Sequence, residues 1–361
     1  MNYFRCCFIF FLSGVSFAGS AHTSFMYEIK GEIKRLKNDT LYLSIMSGNE
    51  GNLPERILIP CSNDKFSYKS QANQTAIVWA QTTTKKSNNG KFTFFIEKGG
   101  IKIRGNNIDL SQTTIEGTAK NKEYSYEQDR MNNYYDRLKP FQLRLKESGD
   151  SSTAAYKEVY RQIAKLYDSV FLFQKEFVST HPNSLVSCML LPLIADKIPV
   201  QKLEGYYINL AEDVKQLSML AKMPGRIAAK KRSVIGSSAP DCIINDMNGK
   251  PVKISDYNGK YVLLDFWDSW SVPCRKDNPY VKGAYEEFKD KNFVIIGVSE
   301  DEDGNKWKQA IEKDHLPWIH ISDFQKTNKV AELYGVQPIP DNFLINPEGK
   351  IIERGAYMVK I

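Results

Sequence analysis

Apolar and polar positions follow three different rhythms along the chain. From residue 25 to 118 the runs are short and alternate with period two, as in Tyr27-Glu28-Ile29-Lys30, Ile77-Val78-Trp79, Lys91 to Ile96 and Ile101-Lys102-Ile103-Arg104. Clusters of Asn, Gly, Ser and Lys separate them, the pattern of strands joined by turns. It predicts a small antiparallel all-β domain, sandwich-like or barrel-like. From 124 to 232 the spacing becomes helical, with Tyr156, Val159, Tyr160, Ile163, Leu166, Tyr167 and Val170 recurring every three or four residues. His181-Pro182-Asn183-Ser184 breaks that stripe and offers Asn183 or Ser184 as the cap of a helix over Leu185–Lys197. Another helical piece spans Leu203–Met223. Pro224-Gly225 with Arg226, Lys230, Lys231 and Arg232 then reads as a linker, either a solvated basic connector or a contact for anionic material.

From 236 to 361 strands and helices alternate. Tyr261–Phe266 is nearly all apolar, as for a strand buried on both faces. A helix is expected from Val272, then a strand over Phe293–Ser299, a helix around Trp307–Asp314, a strand over Trp318–Ser322 and a helix near Thr327–Tyr334. Phe343–Ile345 and Lys350–Glu353 flank the turn Asn346-Pro347-Glu348-Gly349, so they form a hairpin. A β-α-β opening and a β-β close predict one layered α/β domain, a central mixed sheet flanked by helices.

Residues 1–18 have another character. Arg5 precedes an apolar run from Phe8 to Phe17, and Ser16-Phe17-Ala18 puts small residues at −3 and −1 of a cleavage site. That is a secretory signal, and its apolar run is shorter than the roughly 20 residues that span a bilayer. The sequence therefore predicts an exported protein of the periplasm or cell envelope, with at most peripheral membrane contact. After cleavage four cysteines remain, Cys61, Cys188, Cys242 and Cys274, too dispersed for a disulfide framework. No Cys/His spacing suits zinc, and no metal or other cofactor is expected. His22, His181, His315 and His320 read as surface or turn residues.

The 361 residues are 42% hydrophobic, enough to build cores and to exclude disordered or fibrous classes. The net charge of +7 divides into +11 over residues 1–235 and −4 over 236–361. Neither half has the dense Lys/Arg stripe of a nucleic-acid binder.

The rear of the chain has a specific pattern. Gly236-Ser237-Ser238-Ala239-Pro240-Asp241, Asn248-Gly249-Lys250, Gly259 to Trp267, Pro273-Cys274-Arg275, Ile295 to Ser299 and Ile339-Pro340-Asp341-Asn342-Phe343-Leu344-Ile345 occur in this order. Over essentially all of 236–350 they resemble the TlpA/ResA type of thioredoxin-fold proteins, kin of the AhpC/TSA redoxins. The front regions resemble, more loosely, the β-rich and helical segments that precede such domains in exported bacterial proteins.

The resemblance implies a thiol-disulfide oxidoreductase or antioxidant ancestry and a Trp-Cys-x-x-Cys motif. In that motif the first Cys is held as a thiolate at a helix N-terminus and attacks, and the second resolves the mixed disulfide. Here the motif reads Trp270-Ser271-Val272-Pro273-Cys274, with Ser in the attacking position. A hydroxyl needs an adjacent base to act as nucleophile, whereas Ser271 suits a helix N-cap. Two-cysteine exchange is therefore expected to be absent. The resemblance makes Cys274 the resolving thiol and Asp265 the buried acid that exchanges protons with it, the alternative being a solvated strand-end carboxylate. It makes Pro340, after Ile339, a cis-proline. Trp267, Trp270, Pro273, Ile339 and Pro340 would then border a groove for extended substrate, unless the tryptophans serve only packing. Cys242, where the family has an aromatic residue, is a buried inert thiol or a bridge to Cys274.

Two functions follow. The first is a one-cysteine redox enzyme acting through Cys274 on a thiol- or disulfide-bearing protein or peptide of the envelope. A peroxidase version is disfavoured because Trp267 stands where the peroxiredoxin motif requires Pro. The second is a redox-inactive module that binds a peptide or protein partner. A third reading, that Ser271 is a trap placed in an ordinary oxidoreductase, is opposed by the intact leader.

Overall fold

The computed structural model describes residues 24–46, 55–82, 90–148, 153–325 and 328–355. The expected leader over 1–18, and His22 with it, lies outside the described residues. Among the described residues the chain divides into two compact units, one up to residue 126 and the other from residue 127 onward.

The first unit contains β1 (Phe25–Lys34), β2 (Thr40–Met46), β3 (Glu55–Pro60), β4 (Lys65–Ala72), β5 (Ala76–Thr82), β6 (Lys91–Ile96), β7 (Gly99–Asn106) and β8 (Asp109–Glu116). They make two four-stranded sheets, in the orders β4-β1-β7-β8 and β3-β2-β5-β6. Period-two alternation turns Ile29, Ile33, Ile101 and Ile103 of one sheet and Leu41, Leu43, Val78 and Phe94 of the other into a shared core. The expected antiparallel pairing fails at one place. β1 and β7 run parallel, from Tyr27 beside Gly99 to Lys34 beside Asn106. The chain between them passes through the other sheet, and such a crossover is what parallel neighbours require. Helix α1 (Ala119–Ser148) starts against β6. There Asn121 pairs like a strand, donating to Phe95 O at 2.7 Å and accepting from Phe95 N at 2.8 Å.

The helical part of the second unit continues with α2 (Ala154–Thr180), α3 (Leu185–Ile194), α4 (Val200–Asn209), α5 (Glu212–Lys215) and α6 (Met223–Arg232). Leu138 of α1 packs with Val159, Ile163 and Leu166 of α2. Thr153 caps α2, and Ser184 caps α3 by accepting from Val186 N at 3.0 Å. Two expectations are corrected here. The single piece over Leu203–Met223 is split among α4, α5 and a short 3-10 turn. The linker at 224–232 is itself α6, because Pro224 sits in the first turn, where its missing N–H costs nothing. Arg226 and Lys230, one turn apart, point inward and are 7% and 6% exposed. Both bind Asp196, Lys230 Nζ at 2.8 Å, and Arg226 also donates to Pro192 O. They are therefore not a solvated connector.

The α/β layer comprises β9 (Ile243–Asn245), β10 (Pro251–Lys253), β11 (Tyr261–Trp267), α7 (Val272–Phe288), β12 (Phe293–Ser299), α8 (Gly304–Asp314), β13 (Ile319–Ile321), α9 (Lys329–Tyr334), β14 (Asp341–Ile345) and β15 (Ile351–Arg354). β9 and β10 pair with each other, and the main sheet runs β13-β12-β11-β14-β15. β11 is parallel to β12 and antiparallel to β14, so the sheet is mixed and β11 is central. Its side chains divide between two cores. Val262, Leu264 and Phe266 join Tyr334 and Phe343 on one face, while Leu263 and Trp267 join Cys274, Val281, Trp307 and Ile311 on the other. β14 and β15 form the expected hairpin, with Gly349 at φ 74° closing its turn. Among the described residues no helix is long and apolar enough to cross a membrane.

Candidate functional site

β11 ends at Trp267 and α7 begins at Val272, leaving Asp268 to Ser271 as a short loop at the strand's C-terminal end. Ser271 is the N-cap, its oxygen accepting from Cys274 N at 3.4 Å. Its own N–H donates to Asp268 O at 3.2 Å. Pro273 stands in the first turn, where proline is tolerated. Cys274 therefore lies one turn into α7, facing inward, and is 2% exposed. Burial pushes its thiol up to about 11, although the Ser271 hydroxyl and the Asp268 main chain pull the other way, and Asp265 and Asp268 add like charge. The thiolate is not the resting form.

Asp265 is buried in β11, opposite Gly297 of β12 and Asn342 of β14. Solvated strand-end placement is thereby excluded for it. The peptide bond Ile339–Pro340 is cis, and Ile339 packs against the cluster that contains Cys274 and Trp267. Trp270 is 71% exposed, Pro273 is exposed, and Ile339 and Pro340 are half-buried. Trp267 does not border the groove and takes the packing alternative. At 1% exposure it lies beneath the loop with its ring against His320 at 5.6 Å, because alternation along β11 turns it into the core below α7 and α8.

Cys61, Cys188, Cys242 and Cys274 are all free. A Cys242–Cys274 bridge is ruled out by placement, since Cys242 packs on the core of one sheet face and Cys274 in the core of the other. His320 is also corrected. It is buried among Trp267, Trp307 and Trp318, and burial lowers it to about 4, so the ring is neutral. His315, by contrast, is the left-handed C-cap of α8, a turn residue as expected.

The loop holds an acid that sequence reasoning missed. Asp268 is 0% exposed, and its Oδ1 accepts from Glu300 N at 2.6 Å. Burial first, then the Asp301 charge, raises it to about 7. Asp301 laces the same loops in the opposite sense, accepting from Ser269 N at 2.8 Å and Ser269 Oγ at 2.5 Å. Arg275 donates to Ser269 O at 3.0 Å and is otherwise held by Asp314. Asp277, three residues after Cys274, is likewise raised by burial. Asp268 gives no local signal, since a carboxylate after an apolar strand ordinarily marks a solvated turn.

Residues 235–354 match the AhpC/TSA family, and residues 27–124 match a domain of unknown function (DUF4369). The thiol-disulfide oxidoreductase ResA of Bacillus anthracis is 35% identical over 130 residues, covering 36% of this chain and 74% of that protein. ResA of Bacillus subtilis (strain 168) is 35% identical over 126 residues, 35% of this chain and 69% of that one. Among solved structures, the thioredoxin domain of a thiol-disulfide oxidoreductase from Bacteroides vulgatus is 41% identical, covering 34% of this chain and 88% of that chain, with a TM-score of 0.32. With a mixed five-stranded sheet, a cis-proline and a capped helix carrying Cys274, the chain belongs through its C-terminal region to the AhpC/TSA family of thioredoxin-fold redoxins, among relatives that are thiol-disulfide oxidoreductases.

Proposed function

We propose that the protein is an exported redoxin-type oxidoreductase whose attacking cysteine is replaced by Ser271, leaving one-cysteine chemistry through Cys274 toward thiol- or disulfide-bearing polypeptides of the cell envelope. The observation that carries this reading is the helix N-terminus itself, with Ser271 spent as its cap and Cys274 one turn further on. Export rests on the charge–apolar–small pattern of residues 1–18. In the reaction, Sγ of Cys274 bonds to one sulfur of a substrate disulfide and the disulfide bond breaks. The other substrate sulfur leaves and takes the proton that Cys274 gave up. With Ser271 in the motif there is no neighbouring thiol to release the adduct, so an external thiol must do it.

A second reading, a module that holds peptides without redox turnover, draws support from the burial of Cys274 and its raised thiol. The exposed Trp270 and Pro273 beside half-buried Ile339 and Pro340 suit an extended chain.

Two experiments on the mature protein separate them. Incubation with oxidised glutathione, followed by site-resolved mass spectrometry, is expected to yield an adduct at Cys274; an adduct that forms only after unfolding transfers the function to the binding module. Ser271→Cys is expected to confer reduction of a model protein disulfide. A variant that stays inert means the site has diverged beyond its nucleophile.

A further inference from the structure

The sheet β3-β2-β5-β6 has an outer face that the sandwich core does not use. Alternation turns Leu41, Leu43, Val78 and Phe94 inward, so their sequence neighbours point out. At one end this outer face is covered by α1, where Phe95 is buried against Tyr124 with ring centroids 5.1 Å apart. Beyond that cover, two cross-strand rows stay open. In one, Leu58 of β3 stands opposite Tyr42 of β2, Tyr42 opposite Gln81 of β5, and Gln81 opposite Lys91 of β6. In the other, Arg56 stands opposite Ser44, and Ser44 opposite Trp79.

Leu58 is 56% exposed and Trp79 is 43% exposed, with Tyr42 half-buried between them. The register puts Tyr42 directly beside Leu58 and diagonally from Trp79, so the three form one apolar ridge oblique to the strands. A single exposed apolar side chain is ordinary, but three aligned on one sheet face mark a binding surface.

Size and charge select the occupant. Four strands about 4.8 Å apart, with same-face rows about 7 Å apart, give a patch roughly 14 Å by 7 Å between side-chain origins. A stable protein interface needs about 800 Å² from each partner, several times that area. A short run of sugar rings fits it better. A pyranose has an apolar C–H face and a rim of hydroxyls. Trp79 and Tyr42 offer flat partners for the face, and Gln81 and Ser44 offer donors and acceptors for the rim. Arg56 and Lys91 stand exposed at opposite borders of the patch, and neither row contains a carboxylate.

We propose that this face binds an acidic polysaccharide, stacking sugar rings on Trp79 and Tyr42 and pairing their carboxylates with Arg56 and Lys91. The inference is independent of the redox reading, since it uses no residue of the α/β layer.

The test is fluorine NMR on the full chain labelled with fluorotryptophan, titrated with trigalacturonate and with its uncharged methyl ester. Trp79→Phe identifies the Trp79 signal among the five tryptophans. Trigalacturonate is expected to shift that signal and leave those of Trp267, Trp307 and Trp318 in place. The ester is expected to bind about tenfold more weakly, a gap that closes at high salt and in an Arg56→Gln, Lys91→Gln double variant. Calorimetry on Trp79→Ala is expected to show both affinities lowered about tenfold, the scale of losing one stacked aromatic face. Thermal unfolding checks that each variant folds. A Trp79 signal unmoved by millimolar trigalacturonate overturns the proposal, as does binding that survives Trp79→Ala undiminished. Equal affinity for acid and ester also overturns it. A Trp79 signal that moves with protein concentration alone assigns the face to a second copy of this chain instead.

Discussion

Gly297 of β12 sits directly beside His320 of β13, and a Cβ on that glycine would lie 2.6 Å from Nδ1 of the imidazole. The same Cβ would come within 3.1 Å of Nε1 of Trp267, the residue that precedes Asp268. A missing side chain therefore lets the floor of the site close.

Gly297→Ala is expected to destabilise the α/β layer by about 1–3 kcal/mol, the usual cost of overpacking a dense core. Urea unfolding followed by tryptophan fluorescence measures it, with Trp267, Trp307 and Trp318 as local reporters. An unchanged midpoint would mean that the imidazole moves aside without cost.

Two buried groups give the folding stability opposite pH slopes. Asp268, raised from 3.8 to about 7, contributes stability below pH 3.8 that is lost as pH rises through 7. His320, lowered from 6.5 to about 4, contributes stability above 6.5 that is lost as pH falls through 4. Removing the carboxylate isolates the first slope. Asp268→Asn is expected to gain on the unsubstituted protein between pH 4 and 8, by on the order of 2–3 kcal/mol at pH 8. Urea midpoints at pH 5 and pH 8 provide the comparison, and parallel curves for the two proteins would refute it.

Asp196 is the carboxylate shared by Arg226 and Lys230, whose side chains are each 5% exposed. Asp196→Ala strands two buried cations and is expected to cost about 3–5 kcal/mol. The Lys231–Glu204 pair is far more exposed, so Glu204→Ala should cost under about 1 kcal/mol. Differential scanning calorimetry distinguishes the two. Equal losses would mean that α6 is not held through Asp196.

Much of the fold was legible because its causes are local. The apolar run of β12 gave Phe293–Ser299 to the residue, and Ser184 and Ser271 announced their helices by capping chemistry. What escaped depends on distant residues. Arg226 and Lys230 read as a solvated cluster because their neutralising partner is 30 and 34 positions away. Asp268 drew no reading at all, since Glu300 and Asp301 reach it only when β11 and β12 lie side by side. Trp267 stayed open between groove and packing, and His320 read as a surface or turn residue, because period two says which side of a sheet a residue faces, but not what covers that side; both are buried.

β1 has a consequence for how the chain reaches its final state. It is the first strand of the described residues, yet it pairs with β4 on one edge and β7 on the other. A chain that emerges N-terminus first delivers β7 only after the intervening strands, so β1 waits with one edge unsatisfied while later strands emerge. Closing that long loop is entropically expensive and slow compared with forming a local hairpin. During this interval the nascent sandwich has an exposed edge capable of pairing with another chain, so completion of β7 ends a vulnerable window in the birth of the molecule.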